Sequence, residues 1–361
     1  MRADRLRSPQ AKGTLMKCLI RILFCWIALH SLAIAQPLEN VFIATGGIRG
    51  DSGEIETGVI SISKDGKQWK RVFEGGKVQG HFTHGNDNMV RALTYGDGKF
   101  VAAGNKGIGV MLSGGGETWR FVEPEPGEGP GGFCIAHTDG KFLIPTASHF
   151  HLSTDGENWE SVSMSGALKE KHGVGAWGSD GAGHVRKVVG QNGVFVFAGE
   201  RRFGSTADGR TFLHHEILAP GEKRGDYYLL AGNGRFLFLQ ETGHQRSTDG
   251  VHWEPLVIDS ADPEIVKAQT SGVWTGSEFV VTGKDAVYRS SDGVAWKKIE
   301  IQSGSADITT AGNGILFGNV WKAFRISTDG GQTWNQIKQE AVPARQVYFF
   351  DGEQLIGAGG G

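Results

Sequence analysis

The sequence predicts an all-β fold, a seven-bladed β-propeller, on three observations. First, a short turn motif ending in Trp or Phe recurs along the 361 residues: "SKDGKQW" (Ser63–Trp69), "SGGGETW" (Ser113–Trp119), "STDGENW" (Ser153–Trp159), "TADGRTF" (Thr206–Phe212), "STDGVHW" (Ser247–Trp253), "SSDGVAW" (Ser290–Trp296) and "STDGGQTW" (Ser327–Trp334). Second, its Asp position (65, 115 as Gly, 155, 208, 249, 292, 329) steps by 50, 40, 53, 41, 43 and 37 residues. That period belongs to four-stranded blades more often than to any other repeat. Third, glycine is abundant, no stretch keeps a helical period, and short apolar runs stand between turn signals.

Residues 1–35 read as a segment to set aside before the fold. Basic residues precede the apolar run "ILFCWIALHSLAIA", which closes on Ala33-Ile34-Ala35 as a signal peptide does. The run is short for a membrane anchor, so the expectation is an exported chain starting at Gln36, secreted or periplasmic, with no membrane insertion after cleavage. Met16 is an alternative start. Removing this segment takes away six Lys/Arg and one Asp and moves the formal charge from -2 to -7. An acidic chain is a poor fit to nucleic acid or anionic membranes. Cys18 and Cys25 leave with the segment, and Cys134 remains as a small buried apolar residue with no disulfide partner in the chain.

The remainder, 36–361, reads as one propeller domain, expected to be a monomer. Each blade runs from an inner strand through a tight turn to a second strand, a loop and a third strand, then through the motif to a fourth strand starting at the Trp. The inner hairpins are marked by Asn-Gly or Asp-Gly: "GDGKFVAAG" (96–104), "TDGKFLIP" (138–145), "QNGVFVFAG" (191–199), "GNGRFLFL" (232–239) and "GNGILFG" (312–318). These dipeptides tolerate the positive φ of a two-residue turn. At the ends, "VFIATGG" (41–47) and "QLIGAGG" both read as second strands, while "ARQVYFF" (344–350) reads as an inner one. Together they hold one strand more than a blade needs. The ends are therefore expected to meet in a shared first blade with one of these two strands displaced, and eight blades is the alternative count.

The turn motif resembles the Asp box (BNR repeat) of sialidases and many other secreted propellers. Only Ser327-x-Asp329-x-Gly331-x-Thr333-Trp334 has the full length, and the other six are one residue shorter. Ser and Asp can bond to the turn backbone, Gly supplies the left-handed conformation and Trp covers the blade edge. The resemblance implies a structural turn on the face away from any active site.

Counting back from the hairpin turns aligns one position at the start of the inner strands: Arg91, Phe133, Arg186, Tyr227, Thr270, Asp307 and Arg345. The second-strand ends add Glu200, Glu241 and Trp321, and long entry loops add His84, Asp87 and His184. Converging guanidinium groups suit a carboxylate. The substrate-binding candidates are Arg91, Arg186, Arg345, Asp307, His84, Asp87 and Trp321. Tyr227 beside a glutamate suggests an activated phenol, so the catalytic candidates are Tyr227, Glu241, Glu200 and His184. Three arginines, a Tyr and a Glu are similar to a sialidase site, and sialidases use a tyrosine nucleophile. The chain departs from that family in lacking its Arg-Ile-Pro string, the nearest being "FLIPT" (142–146).

These residues point to an acidic extracellular glycan, recognised and either hydrolysed or cleaved by a lyase in which the arginines neutralise a uronate. The same residues would also serve a non-catalytic binding or assembly-factor propeller, so catalysis stays open. No cofactor or metal is implied: His149 and His151 share a strand face with no third ligand, and His214-His215 read as surface residues.

Overall fold

The computed structural model describes residues 38–51, 55–75, 89–104, 109–122, 132–146, 149–163, 185–199, 203–215, 227–240, 244–256, 272–283, 286–304, 306–320, 323–338 and 344–357. They form seven antiparallel sheets whose inner strands neighbour one another in a ring. The chain enters with β1 (Val41–Arg49), β2 (Ile55–Ser63) and β3 (Lys70–Gly75). A second sheet follows as β4 (Val90–Gly96), β5 (Lys99–Gly104), β6 (Val110–Ser113) and β7 (Arg120–Val122). The third is β8 (Ala136–Thr138), β9 (Lys141–Pro145), β10 (His149–Ser153) and β11 (Glu160–Ser163). Next come β12 (Val185–Gln191), β13 (Val194–Gly199), β14 (Phe203–Thr206) and β15 (Leu213–His214). The fifth holds β16 (Tyr227–Gly232), β17 (Arg235–Gln240), β18 (Gln245–Ser247) and β19 (Glu254–Pro255). The sixth holds β20 (Gly272–Trp274), β21 (Phe279–Thr282), β22 (Ala286–Ser290) and β23 (Lys297–Glu300). The seventh is β24 (Asp307–Gly312), β25 (Ile315–Val320), β26 (Ala323–Ser327) and β27 (Asn335–Lys338).

Finally β28 (Ala344–Phe350) and β29 (Leu355–Ile356) return to the first sheet, whose order is β29-β28-β1-β2-β3. The strand "VFIATGG" thus takes the second place, beside β28. The short β29 pairs with the other edge of β28, on its inner side. Among the described residues there are seven sheets, which decides the blade count in favour of seven.

Local chemistry explains the turns. Asp97, Asp139, Asn192, Asn233 and Asn313 adopt φ of 49°, 47°, 54°, 48° and 49°, each followed by a glycine at positive φ, as a two-residue hairpin requires. In five of the seven box turns the Asp carboxylate accepts two backbone N–H groups, for example Glu157 N at 2.8 Å and Asn158 N at 2.7 Å on Asp155. Trp159 Nε1 then donates to the carbonyl of Gly156 at 3.1 Å, which lays the indole along the blade edge.

Blade spacing follows a size rule near the ends of the inner strands at four of the blade junctions. A Cβ on Gly96 would lie 2.2 Å from the His137 ring, one on Gly232 2.2 Å from Trp274, and one on Gly312 2.1 Å from Phe349. Each glycine hosts the large side chain of the next blade. Where the host is larger, as at Thr138, the guest is Gly190, whose Cβ would approach the Thr138 Cβ to 3.1 Å. The sheets bury apolar faces against their neighbours on both sides. Phe42, Phe317 and Phe349 pack between the seventh blade and the closing blade, and Phe203, Phe236 and Phe238 between the fourth and fifth. Cys134 is fully buried in a further seam, with Phe150, Phe195 and Phe197 of the third and fourth blades.

Candidate functional site

The inner strands β4, β8, β12, β16, β20, β24 and β28 surround a central bore. Its two ends differ. The hairpins and boxes share one face. There the segment Gln354–Gly357, carrying β29, lies against β12, β16 and β20 and leaves a cavity of ≈ 110 Å³ lined by Lys187, Leu230, Trp274 and Ile356. Thr310 Oγ1 ties this segment down by donating to the Ile356 carbonyl at 2.6 Å.

At the opposite, entry end, the three arginines occupy one structural position. Val90 and Ala92 pair with Gly104 and Ala103, so Arg91 is the extra residue of a β-bulge. Arg186 is extra between Val185 and Lys187 against β13, and Arg345 between Ala344 and Gln346 against β1. A bulge re-aims its extra residue relative to the strict alternation of the strand. Tyr227 stands at the same distance from its turn but pairs regularly with Gln240. In the seventh blade the extra residue is Thr309, and Asp307 is offset from the arginine position by two residues.

The structure brings two of the arginines together on Phe133. The Arg91 Cζ lies 4.6 Å from the centroid of that ring and the Arg186 Cζ 5.2 Å. A ring face carries partial negative charge, so it attracts each guanidinium and eases the repulsion between two cations held close. Arg91 is only 7% exposed, whereas Arg186 and Phe133 are half-buried and accessible.

Lys187, next to Arg186, projects into the bore. Its neighbours in charge are Cys134 and Asp307, and Asp307 belongs to β24, three blades round the ring from β12. The two groups can sense each other only across the bore. Burial lowers Lys187 to about 8, with Cys134 and Asp307 opposing, and burial raises Asp307, with Lys187 opposing. The Lys187 amine also stands 5.9 Å from the Tyr228 ring centroid. Below the arginines, Tyr348 accepts the Leu93 N–H at 3.2 Å and donates to Gln346, linking the closing blade to β4.

The remaining expectations sort as follows. Tyr227 is half-buried, and its ring packs on Phe238 at 5.7 Å within the apolar seam between the fourth and fifth blades. Glu200, Glu241, His184, His84, Asp87 and Trp321 lie outside the described residues, and for Arg345 only the backbone is described. His151 is buried, with Nδ1 2.8 Å from Ser161 Oγ, and burial followed by the nearby His149 lowers it to about 4. Among the described residues no cluster of three metal-ligating side chains occurs. His215 corrects the surface reading: its Nε2 lies 3.0 Å from Ser205 Oγ and 3.1 Å from the Gly250 carbonyl, and its ring packs near Phe203 and Trp253.

Two residues of the site were not singled out from sequence. Phe133 aligned with the arginines, but an aromatic in an inner strand reads as core. Lys187 breaks the apolar alternation of "VRKVV", and that break was the available signal.

No protein-family model matches the sequence, and no curated protein matches it. Among solved structures, AztD of Citrobacter koseri is 10% identical over 83% of this chain and 82% of its own, with a TM-score of 0.50. PorZ of Porphyromonas gingivalis, a bacterial surface component of the type-IX secretion system, is 14% identical over 74% of this chain and 36% of its own, with a TM-score of 0.46. YCF48 bound to D1 peptide is 13% identical over 90% and 95%, with a TM-score of 0.44. At 10% identity the likeness to AztD is one of fold alone.

Proposed function

We propose that this chain is an exported propeller that recognises an acidic extracellular glycan at the entry end of its bore. One observation carries the reading: Arg91 and Arg186, each displaced by a bulge, share the half-buried ring of Phe133. A guanidinium offers two parallel N–H donors to a carboxylate, and a flat apolar ring offers a surface to a sugar face. Arg186 and Phe133 are the accessible members, so they meet the ligand, while the buried Arg91 holds the ring and adds positive charge behind it. Lys187 deeper in the bore adds to the attraction and Asp307 opposes it.

The test uses residues 36–361, wild type and Arg186→Ala, with a pooled panel of sialylated and uronic-acid oligosaccharides. Native mass spectrometry reads binding, and the masses of released fragments read turnover. Binding by wild type and a loss of at least about tenfold in Arg186→Ala are expected for one bidentate contact. Fragments from wild type alone would add catalysis, with hydrolysis and elimination separated by product mass. Equal retention of the panel by both proteins, or by neither, overturns the proposal.

A further inference from the structure

The seven box turns are an internal series of copies, and one copy lacks its central residue. In six of them the Asp Oδ1 gathers a hydroxyl and backbone N–H groups. The hydroxyl of Ser63, Ser153, Thr206, Ser247, Ser290 or Ser327 donates to it at 2.7 to 3.2 Å. In the six-residue-step copies the backbone N–H groups two and three residues after the Asp donate to the same oxygen, as at Lys67 and Gln68 (both 2.8 Å) and at Val251 and His252 (both 2.8 Å). The second box carries Gly115 in place of Asp.

That turn nevertheless keeps the rest of its geometry. Ser113 Oγ accepts the Gly116 N–H at 2.7 Å, Gly116 holds φ 80°, and Trp119 Nε1 donates to the Gly116 carbonyl at 2.9 Å. Matching values in the third box are 2.8 Å, 73° and 3.1 Å. The three donors that elsewhere hold a carboxylate oxygen are therefore preset: the Ser113 hydroxyl and the backbone N–H groups of Glu117 and Thr118. Among the described residues no acceptor takes the place of the Asp. Ser113 is only 3% exposed.

A cavity of ≈ 360 Å³ adjoins the turn, lined by two of the donor residues, Ser113 and Thr118, with Trp119, Lys99, Arg120 and Glu157. Lys99 there donates to the Asp155 carbonyl at 3.1 Å, and Arg120 pairs with Glu157. Two cations thus stand at the rim against one anion. Convergent backbone N–H groups form an anion seat, and those of Glu117 and Thr118 belong to exposed residues that a ligand can reach.

We propose that the second box is a carboxylate-binding site, on the face of the propeller opposite Arg91 and Arg186. The ligand class follows from the five sibling turns of the same length, which place a carboxylate oxygen on the same three donors. A small organic acid and the terminal carboxylate of a peptide share that chemistry. Gly115→Asp should supply the missing group from within the chain and close the site to both.

The test measures Tm of the full chain, wild type and Gly115→Asp, at constant ionic strength as acetate replaces chloride. Parallel arms use triglycine and triglycine amide. Gly115→Asp is expected to melt about 1–3 °C above wild type in chloride, one set of turn hydrogen bonds in a domain of this size. Wild type should gain stability with carboxylate concentration as mass action requires, and Gly115→Asp should not respond. A response to acetate assigns the site to small acids, and a response to triglycine but not to acetate or the amide assigns it to peptide termini. An unresponsive wild type, an equal response in both proteins, or a Gly115→Asp chain that fails to fold overturns the proposal.

Discussion

Alanine at Gly232 probes directly how the blades are spaced. Its Cβ would lie 2.2 Å from Trp274 Cδ2 and 2.3 Å from Cγ. Carbon atoms in contact prefer at least about 3.5 Å, so the indole must retreat by roughly 1.3 Å. Retreat is hindered, because the indole packs on Phe279 at 4.6 Å and belongs to the seam with Leu230, Leu237 and Tyr288. Overpacking costs about 1–3 kcal/mol, and the lower backbone entropy of alanine in the unfolded chain offsets up to about 1 kcal/mol of it. The expected net loss for Gly232→Ala is about 1–2 kcal/mol. Trp274→Ala removes a partly buried indole and should cost about 3 kcal/mol. The double variant should be no less stable than Trp274→Ala alone, because the clash is gone, giving a coupling of about 1–2 kcal/mol. Urea unfolding followed by far-UV circular dichroism measures all three. Gly114→Ala, where a Cβ meets nothing within 4 Å, is the control. Additive losses in the double variant, or a Gly232→Ala as mild as the control, would refute the size rule.

Three further expectations follow from buried or turn-held groups. Lys187 falls from 10.5 to about 8 through burial, so between those values the unfolded chain holds a proton that the native chain has released. Stability should therefore rise with pH from about 8 to 10.5, and Lys187→Met should lose that slope in urea midpoints. His151 falls from 6.5 to about 4, so the unfolded chain takes up its proton first on acidification. Stability should drop across that interval and drop less in His151→Gln. Asp329 is held at about 2, chiefly by the Thr333 hydroxyl and backbone N–H. Its contribution is whole above the ordinary value of 3.8 and lost as pH falls towards 2, and Asp329→Ala should cost about 1 kcal/mol at pH 7 in the same assay.

The sequence by itself determined whatever depends on a few consecutive residues. Asn-Gly and Asp-Gly set the positive φ at Asn192 and Asn233, and each Ser-x-Asp-Gly copy closes its own turn through bonds spanning two to four residues. Such contacts need nothing distant, so the repeat, its period and the position shared by Arg91, Arg186 and Arg345 were readable in the chain. Tertiary structure decided the rest. "VFIATGG" and "QLIGAGG" are equally apolar, and only pairing with β28 puts the first on its outer side and Leu355–Ile356 of the second on its inner side. Counting from a turn aligns Asp307 with the arginines, but the bulge at Thr309 offsets it, and a bulge depends on the partner strand. Lys187 and Asp307 are 120 residues apart and meet only because seven blades close a ring. Local hydrogen bonds write turns, whereas burial and charge act across space, so the shifted lysine and the paired cations on Phe133 exist only once the ring is closed.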